Sequence, residues 1–305
     1  MLKIYYQNQF TEVQQSSGFD IKLLQDDRPG AHIIRLEDEI ITARCSVWWD
    51  NAPQGCIGHF FADDVNAAGA VLRGALNQLK QNGCEHALAP MNGNTWREYR
   101  YATAGADKPQ FLMEPQPALG RDKFLSNAGF SVCDSYYSYD ESLANAPEKP
   151  PESNIRLRQI DMDKLEQELD LIYELAIAAF RENPYYADIS RKDFVQSYLA
   201  YGKMLLPELI LIAEDGSRTV GFLFCIPDYL QGVQPDTVLL KTIAVLPEYR
   251  SCGLGGTLME TAKHRAAVMG FRRCVYALVY EKNISRRFCQ GAKLLREYSL
   301  FRRAL

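Results

Sequence analysis

The sequence predicts an α/β fold, a mixed sheet of the α+β kind flanked by helices, laid down twice in two successive domains. Three observations predict it. The chain has 305 residues, more than a single core usually organises. Prolines and charges displace every large apolar residue between 145 and 154, which is the composition of a linker. On both sides of that run, amphipathic helix patterns alternate with short strand patterns. The expected domains are therefore 1–144 and 155–305, joined by 145–154.

In the first domain, 33–49 and 55–61 read as strands. Positions 66–81 read as a helix with Val71, Leu72, Ala75 and Leu79 on one face and Gly83 as its stop. A short helix at 122–129 and a strand at 130–139 follow. In the second domain, 162–181 and 191–202 are helical. Strands at 209–213 and 220–226 are joined by the turn Glu214-Asp215-Gly216-Ser217. A third strand at 238–246 runs into a glycine-rich loop and a helix at 254–269, ended by Gly270. A strand at 274–280, a short helix at 285–290 and strand-like residues at 294–301 close the chain. Without gaps, 83–88 falls on 270–275 and 129–136 falls on 291–298, a pattern that suggests internal duplication.

Composition narrows the function. The chain is 47% hydrophobic and 24% charged, with a net charge of -4. It lacks the basic excess of a nucleic-acid binder. The first residues turn polar too early for a signal-peptide core, and no apolar run approaches membrane-spanning length. A cytoplasmic protein without membrane attachment, monomeric or weakly dimeric, is expected. The eight cysteines contain no C-x-x-C pair and read as buried thiols in a reducing compartment. His32, His59, His86 and His264 are dispersed, so no metal centre is expected.

The chemistry concentrates in Arg250-Ser251-Cys252-Gly253-Leu254-Gly255, continued by Gly256 and Thr257. This loop follows an apolar strand and opens an amphipathic helix, the setting in which free N–H groups and the helix dipole face an anion. Glycine permits close approach and unusual dihedrals there, and Arg250 adds a cation suited to phosphate. The loop has no Gly-Lys-Ser/Thr ending for a nucleotide triphosphatase. It also lacks a third glycine at dinucleotide spacing.

Residues 239–258, LLKTIAVLPEYRSCGLGGTL, resemble the coenzyme-A-binding signature of the GNAT superfamily of N-acyltransferases. The resemblance extends over 155–305, to Asn283 after the next strand and to the closing 296–303. More loosely, the first half resembles a degenerate GNAT domain, so the whole looks like a tandem GNAT protein. The resemblance implies that the loop N–H groups hold the pyrophosphate of acetyl-CoA, the cosubstrate, with Asn283 and Ser285 among its contacts. It implies that the pantetheine pairs with the strand backbone at Ile243, Ala244 and Val245. It further implies direct attack of a primary amine, from a small molecule or a peptide, on the thioester.

In such a fold the oxyanion meets an N–H near Val245. The proton donor of many relatives is a tyrosine four residues before the glycine that ends the last helix; here that place is Arg287, with Phe288 beside it. Tyr280 is the first alternative, followed by Tyr276 and Tyr298. Strand alternation puts Tyr276 and Tyr280 on one face, where they also fit as core or rim residues. No carboxylate stands out as a base; Glu281 is a nearby loop charge and Lys241 borders the strand. Cys252 sits at a helix N-terminus, where a thiol can be activated, or is simply a small loop residue. Arg286, Arg287, Arg302 and Arg303 form a basic group that either meets the 3′-phosphate or is solvated.

In the first half, the ungapped alignment sets Asp63 on Arg250, Asn66 on Gly253 and Ala68 on Gly255. With Asp63 and Asp64 there, this half is expected to bind no CoA. The loop 183–188, with Tyr185, Tyr186 and Asp188, is the expected acceptor side. Two rivals stand beside the amine acetyltransferase: a CoA-binding regulatory protein with lapsed catalysis, and a tandem acetyltransferase of the thiol-cofactor-synthesis type.

Overall fold

The computed structural model describes residues 1–17 and 19–305, with side chains for all of these except 14–17. The chain forms two compact units. The first comprises Met1–Ala106, Pro115–Ser135 and Tyr298–Leu305; the second comprises Asp107–Glu114 and Tyr136–Glu297. The division therefore falls elsewhere than at the proline-rich run, which lies inside the second unit. There His264 Nδ1 stands 2.8 Å from the Pro147 carbonyl on the run.

The first unit contains β1 (Leu2–Tyr6), α1 (Phe10–Ser17), α2 (Ile21–Asp27), β2 (Ala31–Glu37), β3 (Ile40–Trp48), β4 (Gln54–Ala62), α3 (Val65–Gln81), β5 (His86–Ala89), β6 (Tyr101–Ala104), α4 (Arg121–Asn127) and the start of β7 (Ser131–Ser142). The expected single strand at 33–49 is a hairpin instead. Asp38 and Glu39 both take left-handed backbone angles, φ 48 and 66, as the tight turn between two twisted strands requires. Strand order is β1-β2-β3-β4-β5, closed by the C-terminal segment, with Phe301 opposite Ala89. Along this order the pairs are antiparallel except β4 with β5. The helical face read from sequence is buried: Val71, Leu72, Ala75 and Leu79 of α3 pack with Ile33, Val47 and Ile57. Truncating such a leucine to alanine costs about 2–5 kcal/mol. Phe10, Val13, Phe19 and Leu24, from α1, α2 and the stretch between them, form a second cluster with Ile34 and Leu36.

The second unit contains the end of β7, β8 (Arg156–Gln159), α5 (Leu165–Phe180), α6 (Arg191–Leu199), β9 (Ile210–Asp215), β10 (Arg218–Pro227), β11 (Thr237–Val245), α7 (Leu254–Val268), β12 (Arg273–Tyr280) and the start of β13 (Lys293–Ala304). Its strand order is β8-β9-β10-β11-β12-β7. Again all pairs are antiparallel except one, β11 with β12. The two sheets thus repeat one plan. The strand closing each comes from the other half of the sequence, β13 in the first unit and β7 in the second. This exchange accounts for the likeness of 129–136 to 291–298.

The second unit also takes in Asp107–Glu114, a segment with no sequence signal. Buried Arg296 forms an ion pair with Glu114 at 2.7 Å, both side chains being 1% exposed. Its Nη2 donates to the carbonyls of Lys108 and Pro109 at 2.9 and 2.8 Å. Lys241 Nζ donates to the Met113 carbonyl at 2.7 Å, and Leu112 N–H to Asp228 at 2.9 Å. Among the described residues, no helix is long and apolar enough to cross a membrane.

Candidate functional site

The parallel strands β11 and β12 pair only from Thr237 opposite Arg273 to Leu240 opposite Tyr276, although β11 continues to Val245 and β12 to Tyr280. Irregularities in both strands lie where they part. Thr242 stands opposite Phe224 while Leu240 stands opposite Cys225, so Lys241 is an extra residue in β11. In β12 the register shifts between Tyr276 and Val279, where Leu278 has φ 63. Such bulges bend a strand and end its pairing. Beyond Leu240, one edge of β11 therefore has no strand partner among the described residues. Leu246 N–H donates to the Val220 carbonyl at 3.0 Å, so by alternation Ala244 and Thr242 also face β10. Ile243 and Val245 then turn their peptide groups into the gap. Ala244, expected among the backbone contacts, is used by the sheet instead.

The chain leaves β11 through Pro247 and enters α7 at Gly253, whose φ of 79 is left-handed. No side chain caps α7. Thr257 contributes nothing to the mouth, because its N–H and hydroxyl donate to the Gly253 carbonyl at 3.1 and 3.4 Å. The first-turn N–H groups of Leu254, Gly255 and Gly256 have no carbonyl four residues back in a helix. Gly255 answers to packing: a Cβ there would stand 3.2 Å from the ring of Phe288.

Arg250 differs from the expectation of a free phosphate-pairing cation. Its Nε donates to the Val245 carbonyl at 3.2 Å and its Nη2 to Ala179, in the last turn of α5, at 3.0 Å; Nη1 lies 3.7 Å from Glu182. The guanidinium closes the end of β11 and complements a helix C-terminus. Ser251 and Cys252 are exposed, with Cys252 Sγ directed at the Tyr249 carbonyl. Asn283 accepts from Ser285 N–H at 2.9 Å, capping the short turn Ile284–Cys289.

The corresponding place in the first unit is filled. Strands β4 and β5 likewise pair in parallel only from Gln54 opposite His86 to Cys56 opposite Leu88. Here, however, Met91 N–H donates to the Ile57 carbonyl at 2.8 Å and the Asn92 side chain accepts from His59 N–H at 3.0 Å. Gly58 makes room for this plug, since a Cβ would stand 2.2 Å from Asn92 Oδ1. At the helix mouth, Asp64 Oδ1 accepts from the N–H groups of Asn66 and Ala67 at 2.7 and 2.8 Å. A carboxylate of the chain itself occupies the anion seat of α3. Helix starts match Asp64, not Asn66, with Gly253, because α3 has 17 residues and α7 has 15.

The three candidate tyrosines are not equivalent. The β12 bulge pairs Val279 with Tyr137 and Tyr280 with Tyr136. Tyr276 and Tyr280 therefore fall on opposite faces, contrary to strict alternation. Tyr276 is 2% exposed, and its hydroxyl donates to Glu141, which also binds Lys263 at 3.2 Å. Burial first, then this hydrogen bond, push its pKa up. Tyr298 is fully buried and belongs to the first unit. Tyr280 is half-buried and packs on Tyr136 with ring centroids 5.1 Å apart. The four arginines of the expected basic group separate too. Arg286 lies over Tyr137 and Arg287 over Phe288 in the second unit. Arg302 and Arg303 are in the first, where Arg303 donates to the Ala128 carbonyl. Glu281 pairs with Lys282 at 3.4 Å. In the loop 183–188, the Tyr186 hydroxyl donates to Asp188 at 3.1 Å. Sequence reasoning missed the Met91–Asn92 plug and the Glu141–Lys263 pair; neither has a local pattern.

Residues 169–290 match the model of the acetyltransferase (GNAT) family. The full chain has the fold of a GCN5-related N-acetyltransferase from Sphaerobacter thermophilus (12% identity, TM-score 0.56, covering 99% of this chain and 95% of the other). It is similar in the same way to one from Anabaena variabilis (9%, 0.60, 100% and 73%). A third similar structure is a tandem GNAT protein from the clavulanic acid biosynthesis pathway (9%, 0.53, 100% and 98%). No curated protein matches the chain. The match to the acetyltransferase (GNAT) family thus lies in the second half of the sequence, at residues 169–290, and the chain shares the tandem GNAT fold over its full length.

Proposed function

We propose that the second unit transfers the acetyl group of acetyl-CoA directly to a primary amine of a small molecule or peptide. One contrast carries this reading: of two equivalent helix mouths, that of α3 holds the carboxylate of Asp64, whereas that of α7 is uncapped. The N–H groups of Leu254, Gly255 and Gly256 fit a pyrophosphate, with Ser251 and Cys252 on the exposed rim. The free edge at Ile243 and Val245 fits the amides of pantetheine, and Val245 N–H is the donor for the carbonyl oxygen that gains charge. Arg250 acts by holding Val245 and the loop in place, and Asn283 with Ser285 shapes the turn that seats Phe288 on α7.

As the neutral amine nitrogen bonds to the acetyl carbon, the carbon–sulfur bond breaks, the nitrogen sheds one proton to solvent and the thiolate takes one. Tyr280 is the donor this reading retains, because the other two tyrosines are buried. A thiol-release assay over polyamines, amino acids, amino sugars and peptides tests it. Turnover with one class is expected, and Tyr280→Phe should lower kcat about 10²-fold or more while leaving the KM for acetyl-CoA unchanged. Arg287 and Phe288 in the usual tyrosine's place favour the second reading, a CoA-binding regulatory protein. Acetyl-CoA binding without thiol release from any amine would select it.

A further inference from the structure

Among the described residues, the first unit holds a guanidinium with no counter-charge. Arg44, on β3, stands opposite Ile34 of β2 and Phe61 of β4. Its guanidinium carbon lies 4.5 Å from the centroid of Phe19 and 5.1 Å from that of Phe61. Its Nε is buried and has no hydrogen-bond partner. No carboxylate among the described residues pairs with it. The stretch 14–18, which precedes Phe19, carries glutamine, serine and glycine but no acid.

The surroundings make the charge harder to hold. Burial, and then the positive charge of Arg121, depress the Arg44 pKa. Phe19 also stacks on His32, with centroids 5.0 Å apart and planes 20° apart. His32 is kept neutral by burial, by His59 and by Arg44 itself. Asp27 is used elsewhere, 2.9 Å from His59 Nε2 and 3.2 Å from Arg97 Nε. Two aromatic faces give a cation some relief, yet a partly buried guanidinium is ordinarily paired. Arg44 is nevertheless only partly covered, so solvent reaches it.

We infer that Arg44, flanked by Phe19 and Phe61, is a binding site for a small organic carboxylate in the unit whose coenzyme slot is plugged. Both rings lie within cation–π distance of the guanidinium, and a planar carboxylate pairs with a guanidinium through two parallel N–H···O bonds. Arg121 adds attraction without needing contact. Nothing in this site depends on the coenzyme reading of the second unit.

Calorimetric titration of the full chain with sodium benzoate and with sodium acetate, at low ionic strength, tests the assignment. Wild type should bind at least one of them saturably. Arg44→Gln should bind it about tenfold more weakly or worse, and acetyl-CoA titrated into the same samples should be unaffected. If Arg44→Gln does not fold, Arg44→Lys, which keeps the charge but not the fork, must show the loss. Absence of saturable binding by either carboxylate, or equal affinity in the folded variant, overturns the site. Tighter binding of inorganic phosphate than of either carboxylate overturns its ligand class.

Discussion

His32 shows how far one side chain's surroundings move its chemistry. Burial first, then His59 and Arg44, lower its pKa from 6.5 to about 3. Above pH 6.5 it is neutral folded or unfolded. As pH falls from there towards 3, the unfolded chain takes up a proton that the folded chain refuses, so stability is lost. The slope is about 1.4 kcal/mol per pH unit. Urea midpoints at pH 7 and pH 5.5 should show this loss in wild type and a shallower one in His32→Gln. Cysteines give a second residue-scale outcome. Cys225, Cys274 and Cys289 are buried, and burial raises all three thiols, the last two to about 12. Iodoacetamide at pH 8, read by peptide mass, should modify exposed Cys252 and spare these three. Their burial is legible in the sequence from the missing metal and disulfide spacings. The fates of the tyrosines are not, because one inserted residue at Ala277–Leu278 reverses every later side chain in β12.

At the scale of elements, α7 and its loop are legible because their signals are local: a strand, a glycine with left-handed φ, then an amphipathic run. The same holds for α3, whose cap follows from an aspartate just before the helix. Asp64→Ala should cost about 1 kcal/mol in urea denaturation, a typical N-cap loss, and leave acetyl-CoA affinity unchanged. The widening between β11 and β12 is not legible, since a bulge at Lys241 depends on β10, not on β11 alone. The contacts of Arg250 are hidden for a similar reason. Its acceptors are carbonyls at Val245 and Ala179, and the latter lies on a helix far away in sequence.

At the scale of the whole chain, periodicity and the duplicated pattern convey two sheets with helices, but not which strand closes which sheet. A strand's sequence specifies its faces and leaves its neighbours open. The exchange of β7 and β13 makes each half incomplete when cut at the proline-rich run. Residues 1–144 alone lack Tyr298–Leu305, and 155–305 alone lack the end of β7. Neither fragment should unfold cooperatively in urea, whereas the intact chain should. The central claim is that one helix mouth of two is open to a diphosphate. Acetyl-CoA titrated calorimetrically into wild type and Gly253→Asp, which supplies α7 with a carboxylate at its cap, tests it most directly. One molecule per wild-type chain is predicted, with affinity about tenfold lower or worse in the variant; two molecules, none, or an unchanged variant would contradict it.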